Sequence, residues 1–217
     1  MIKKSFLILI LSFTTLFAVT AEEQRVLEAI KVIGEMKHLK KGGIPPALFR
    51  QSEAIAVIPK TYRVGFIVGG RHGRGILIAR DEKGRWGDPV FIELTGMSVG
   101  FQAGASKSDV VIAFKNRAAI RGLVSSKVTL GVDVSVAAGG TGRNVSADTD
   151  LFLKARAVSY AKSKGLFAGV ALKSGVISVD TYANERFYGK NIPITDILND
   201  YKIEEPEIVE RLREALR

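Results

Sequence analysis

The sequence predicts an α+β domain built on a mainly antiparallel, strongly curved sheet or partial barrel of roughly eight to ten strands, with helices at both ends. Three observations predict it. Short apolar or alternating runs crowd the stretch from Ala54 to Val179, and each is bounded by glycine or a polar turn. Helical spacing is concentrated towards the two ends of the chain. Glycines recur inside the strand-like runs themselves, where a missing β-carbon permits close packing or sharp bending.

Ahead of the domain, Lys3 and Lys4 precede an apolar run from Phe6 to Val19, and Val19-Thr20-Ala21 offers small residues before Glu22. That is the layout of a cleaved export signal over residues 1–21. The rival is an uncleaved membrane anchor, but about 14 helical residues reach only about 21 Å, short of a hydrocarbon core of roughly 30 Å.

Residues 22–43 form the next unit. Val26, Ala29 or Ile30, Ile33 and Met36 fall on one helical face, with Glu22 and Glu23 at the start and Lys37, His38, Lys40 and Lys41 at the end. Gly42-Gly43 stops the helix. Such a helix either packs on the domain or lies in a lipid interface with its basic end on headgroups.

The main domain is expected over residues 44–190. Pro45-Pro46 begins a short helical turn to Gln51, and Ala54–Ile58 is an apolar strand closed by Pro59. Val64–Val68 and Ile76–Ala79 read as a hairpin whose connector, Gly69 to Gly75, is glycine and cation. Arginines fanned across such a turn present forked donors suited to phosphate. Val90–Leu94, Ser98–Gln102 and Asp109–Phe114 are further strands, and Asn116 caps a short helix reaching about Val124. Val128 to Val136 alternates cleanly, one face apolar and one polar. A strand over Leu151–Tyr160 follows, and Leu166–Leu172 and Val176–Val179 flank Lys173-Ser174-Gly175 as a second hairpin. After Asp180 the pattern is helical to Tyr188 and stops at Gly189. Residues 191–217 form a tail with short helices over Pro193–Asn199 and Pro206–Leu216.

Catalysis is poorly supplied. There is no cysteine, and the 2 histidines, His38 and His72, sit in basic segments away from carboxylate motifs. No metal-ligand spacing stands out, and no cofactor is implied. The glycine loops at Gly69–Gly75 and Gly139–Gly142 lead into strands, so they lack the helix N-terminus that cradles a diphosphate. The formal net charge of +10 favours anionic partners. Export makes nucleic acid the poorer choice among them.

The order of segments resembles a known family. Ala54–Pro59, Gly65–Gly70 with Gly73 and Gly75, Trp86-Gly87-Asp88-Pro89, Gly96–Gly104, Asp109–Val111, Tyr160–Val170, Asn184 and Tyr188-Gly189 are together similar to the SYLF domain. The resemblance covers residues 40 to 190. It implies a non-enzymatic module that binds phospholipid or phosphoinositide, with some eukaryotic relatives binding and bundling actin. It also implies a lipid contact through an N-terminal amphipathic helix and basic residues, to which Val26–Lys41 corresponds in character.

The expectation is therefore an exported protein, periplasmic or secreted, that meets anionic phospholipid headgroups. The candidate contact residues are Lys37, Lys40, Lys41, Arg71, Arg74, Lys83, Arg85 and Trp86. No catalytic or metal-binding residue is expected. The alternative is an envelope scaffold whose basic surface meets an acidic protein.

Overall fold

Both faces of the central sheet are buried, and that follows from its strands' composition. In Ala54–Ile58 and Ile76–Ala79 every residue is apolar, so alternate side chains feed two different cores. The computed structural model describes residues 19–38, 45–125, 127–139, 155–163, 166–170, 172, 174–189, 192–198 and 206–217.

Helix α1 (Ala21–His38) and the short α2 (Pro46–Gln51) lead into two long strands, β1 (Ala54–Ala79) and β2 (Val90–Phe114). A 3-10 helix (Arg117–Ser125) follows, its first turn capped by Asn116, whose Oδ1 accepts from the Ala119 N–H at 2.9 Å. Then come β3 (Lys127–Thr129), β4 (Val136–Ala138), β5 (Ala157–Ser163), β6 (Leu166–Gly169) and β7 (Gly175–Val179). Helices α3 (Thr181–Tyr188), α4 (Ile194–Leu198) and α5 (Glu207–Leu216) close the chain.

Among the described residues the sheet has 7 strands in the order β3-β7-β2-β5-β4, with β1 also on β2 and β6 on β5. Every pairing is antiparallel except that of β4 with β5. This is the predicted α+β class, a curled and mostly antiparallel sheet with helices at both ends. The runs read as separate strands between Ala54 and Phe114 are the legs of two long ones, paired from Ala54↔Phe114 to Leu77↔Val90.

The first hairpin was therefore misplaced. No turn interrupts Gly69–Gly75, which pairs with Ser98–Ile92, and the chain reverses after Ala79 instead. What lies between Val64 and Val68 is a fold of the whole β1–β2 ribbon upon itself. A β-carbon at Gly65 would stand inside 3.0 Å of the Gly69 backbone, and one at Gly75 inside 3.0 Å of the Val57 carbonyl and Ile58 Cα. Only glycine lets the two legs of β1 close this far.

Two further strand readings change. The alternation of Val128–Val136 breaks at Leu130, where Gly131 takes φ +88° and Asp133 accepts the Thr129 N–H at 2.7 Å. A turn thus separates β3 from β4, and Val132 is left exposed. β6 and β7 form no hairpin, because β6 pairs with β5 while β7 bonds β2 on one edge and β3 on the other.

One core lies under α1, α2 and α5 and takes Ile55, Val57, Ile76, Ile78 and Phe91 from the ribbon. The other fills the inside of the fold, joining Ala54, Ala56, Ile58, Leu77, Ile92 and Ile112 to the 3-10 helix and α4. The apolar face of α1 is spent in the first core, with Val26, Ala29, Val32, Ile33 and Met36 all buried. The packed reading of this helix holds, and that face does not meet lipid in this conformation.

The residues that carried the family resemblance hold these layers together. The Asn184 side chain accepts from the Phe91 N–H and donates to the Phe91 carbonyl, both at 3.0 Å, satisfying buried backbone of β2. The Tyr188 hydroxyl donates to the Pro89 carbonyl at 2.6 Å. Asp88 meets Arg213 of α5 at 2.9 Å, both side chains largely buried. Asp180 caps α3 through the Ala183 N–H and pairs with Arg25 of α1 at 2.9 Å.

Candidate membrane-binding surface

Pro59 and Lys60 set the geometry of the protruding end of the ribbon. Pro59 has no N–H for the ladder, and Lys60 takes φ 52°, its N–H donating to Asp109 Oδ1 at 2.9 Å. The register shifts between Ile58 and Thr61, as at a bulge. Even-numbered residues face the inside of the fold up to Ile58, and odd-numbered ones do so from Thr61 onward. Thr61 is buried against Gly73, while Tyr62, Val64, Phe66 and Val68 are turned to the outer face.

On that outer face helix α1 packs in one core with Ile55, Val57, Ile76 and Ile78. Beyond its reach the ribbon is bare. Tyr62, Val64, Phe66, Val68 and Met97 are 52–69% exposed, and Phe66 at the apex is the most exposed of them. An outward row of large apolar side chains on a soluble surface marks an interaction site. Cations stand around its base. Lys107, the register partner of Tyr62, holds its ammonium 5.5 Å from the Tyr62 ring, and Arg63 and Arg71 lie half-buried on the inner face of the same legs.

A cleft of about 380 Å³ opens beside the row, lined by Arg25, Glu28, Lys60, Tyr62, His72 and Arg74 among others. Its cations are already matched. Arg25 pairs with Asp180, Lys60 with Glu28, and Arg74 with Glu93 at 2.9 Å. The cleft thus carries little net charge for an anion to answer.

The residues anticipated from sequence do not form one patch. Arg71 and Arg74 lie on β1 near the row. Lys83 and Arg85 belong to the turn joining β1 to β2, roughly 30 Å along the strand from Arg71 at 3.3 Å per residue. There Arg85 is held by Asp81, its Nε at 2.7 Å and Nη2 at 2.6 Å from Oδ2. Burial opposes ionisation of Asp81, but donors from Arg85 and the Lys83 backbone outweigh it and hold its pKa below the usual carboxylate value. Lys83 is exposed. Lys37 is exposed in the last turn of α1, with partial desolvation drawing its pKa down. Lys40 and Lys41 lie outside the described residues.

Trp86 is a correction. It is 7% exposed, packed in the core beneath the helices, with the Arg80 guanidinium 4.1 Å from its ring. Its bulk and the Arg80 stack place it inside, so it anchors nothing at an interface.

The apolar row and Arg63 were missed. The sequence marks Val64–Val68 as an apolar strand leg, and such a run does not show whether anything covers it. The available signal was their position around the densest glycines, where the sheet folds too sharply for a helix to follow.

Comparison with known proteins gives a consistent result. The family model described as Ysc84, Las17-binding protein actin regulator, matches residues 95–217. SH3 domain-containing YSC84-like protein 1 of Xenopus laevis is 36% identical over 149 residues, covering 68% of this chain and 44% of the relative. The human protein of the same name is 34% identical over 156 residues, covering 71% and 45%. LAS seventeen-binding protein 3 of Saccharomyces cerevisiae is 34% identical over 176 residues, covering 80% and 38%. The chain spans less than half the length of these relatives. The yeast relative and the family description carry the name of a binding protein.

Proposed function

Because this chain belongs to the Ysc84 family, the SYLF domains, we propose that it is a non-enzymatic binding module whose target is an anionic phospholipid surface. The observation that carries this reading is the bare apolar row at the ribbon's fold, Tyr62, Val64, Phe66 and Val68, with arginine and lysine at its base. Shallow insertion of such a row buries apolar area, and each cation near an anionic headgroup layer adds about 1 kcal/mol. The net charge of +10 over the whole chain, of which Lys3 and Lys4 fall in residues 1–21, acts in the same direction. With residues 1–21 as an export signal, the surface met is that of the cell envelope.

Co-sedimentation with phosphatidylcholine vesicles, with and without phosphatidylserine, tests this. The expected result is binding that requires the anionic lipid and weakens at least tenfold between 0.05 and 0.5 M salt, as about 1 kcal/mol per cation predicts. Phe66→Asp should lose binding and keep its melting temperature, since Phe66 is 69% exposed. Vesicle binding that ignores Phe66→Asp would sink the row as the contact. A second reading, suggested by the binding-protein name of the yeast relative, is a protein partner at the same row. Capture of an envelope protein that vesicles fail to displace would favour it.

A further inference from the structure

The apolar row gives way to charge at one histidine. On the second leg of β1 the outward positions are Val68, Gly70, His72 and Arg74, and the β2 partners of the last three are Met97, Thr95 and Glu93. His72 therefore stands between the exposed Met97 and the ion pair of Arg74 with Glu93. It is exposed, and among the described residues no hydrogen bond or ion pair engages its imidazole. The charged groups that face it are matched. From α1, Arg25 holds Asp180 and Glu28 holds Lys60 of β1, while from β2 Glu93 holds Arg74. The uncharged Gln24 and Tyr62 complete the cleft that His72 lines. Imidazole is the side chain whose ordinary titration falls between pH 5 and 8. A proton on His72 thus adds an unmatched positive charge to a balanced surface.

We propose that His72 is a headgroup-facing contact of the apolar row, and that its protonation tightens association with an anionic phospholipid surface at acid pH. This rests on the membrane reading above and adds a regulator to it. Depth supports the placement. His72 and Tyr62 line one cleft, and Tyr62 lies four residues from Phe66, roughly 13 Å along the strand. An apolar edge enters a bilayer about 5–10 Å. With Phe66 inserted, the level of Tyr62 and His72 falls within the screening length of about 10 Å at 0.1 M salt. One added cation at that distance from an anionic leaflet strengthens binding about fivefold. Arg25, Lys60 and Arg74 give no such response, because each holds a carboxylate at either pH.

The chain has 2 histidines, and His38 at the end of α1 is the control for the other. The test uses the full chain and its His72→Gln, His72→Arg and His38→Gln variants. The probe is vesicles of phosphatidylcholine with phosphatidylglycerol, whose charge is constant over the range, at about pH 5.5 and 7.5 and one ionic strength. The parent should bind about fivefold more tightly at the lower pH. His72→Gln should hold the weaker affinity at both values and His72→Arg the tighter one, while His38→Gln keeps the ratio of the parent. Because His72 is exposed, its variants should melt with the parent. A parent that binds these vesicles equally at both pH values, or a ratio that survives His72→Gln, overturns the role of His72 and leaves the membrane reading intact. A parent that binds no anionic vesicle at either pH overturns the membrane reading and the role of His72 with it.

Discussion

At the scale of single residues, Tyr160 shows how the core sets a measurable property. Its side chain is fully buried, and Gly139 packs flat on the ring, where a β-carbon would collide with it. Burial pushes the phenol pKa from its ordinary 10.0 up to about 12. A raised pKa means the folded state holds the proton more tightly. The contribution is fully present below pH 10 and is lost as the pH rises towards 12, roughly 2–3 kcal/mol in all. Urea denaturation between pH 8 and 12 should show this alkaline decline in the parent, and Tyr160→Phe should flatten it. An identical slope in both proteins would count against the buried phenol. Asn184 and Asp88 belong to the same scale. Both stood out as marks of resemblance, and the structure gives each a buried polar partner in β2 or α5.

At the scale of elements, the decisive feature is the folding of the β1–β2 ribbon. Gly65, Gly69, Gly73 and Gly75 line the contact between its legs, so each is held by a close approach of backbone or side chain. Gly75→Ala should lower unfolding free energy by about 3 kcal/mol, because the new methyl group meets the Val57 carbonyl and rigid backbone cannot yield. Chemical denaturation reads this directly, and a loss under 1 kcal/mol would mean the legs are not so close. The local signals for the helices were legible because their causes are local. Asp180 and Gly189 bound α3 as cap and stop, Gly189 taking φ 72°, and Asn116 caps the 3-10 helix. The Val128–Val136 alternation misled for a similar reason. A period of two does not record that Gly131 has turned the chain.

At the scale of the molecule, the chain's two ends share one core. Ile208, Val209, Leu212 and Leu216 of α5 are buried together with Val26, Ile33 and Met36 of α1. Removing residues 206–217 would strip one side of that core and leave Asp88 without Arg213. Such a truncation should lose its cooperative thermal transition and its near-ultraviolet circular dichroism. A cooperative melt within a few degrees of the parent would show that α5 is dispensable. The same arrangement explains why α1 serves as a structural helix, since its apolar stripe faces α5 and the sheet.

By itself the sequence determined the α+β class, the helices at both ends of the chain, and a family pattern. Each depends on residue type and short-range spacing, which physics reads locally. Only the tertiary structure decided where the ribbon folds, that Trp86 is core, and that Tyr62, Val64, Phe66 and Val68 are bare. It also decided that Arg71 lies near enough to Arg63 to feel its charge, and far from Lys83 and Arg85. An apolar strand residue looks alike in sequence whether a helix covers it or not. The reach of α1 along the ribbon makes that choice, and it is a property of packing alone.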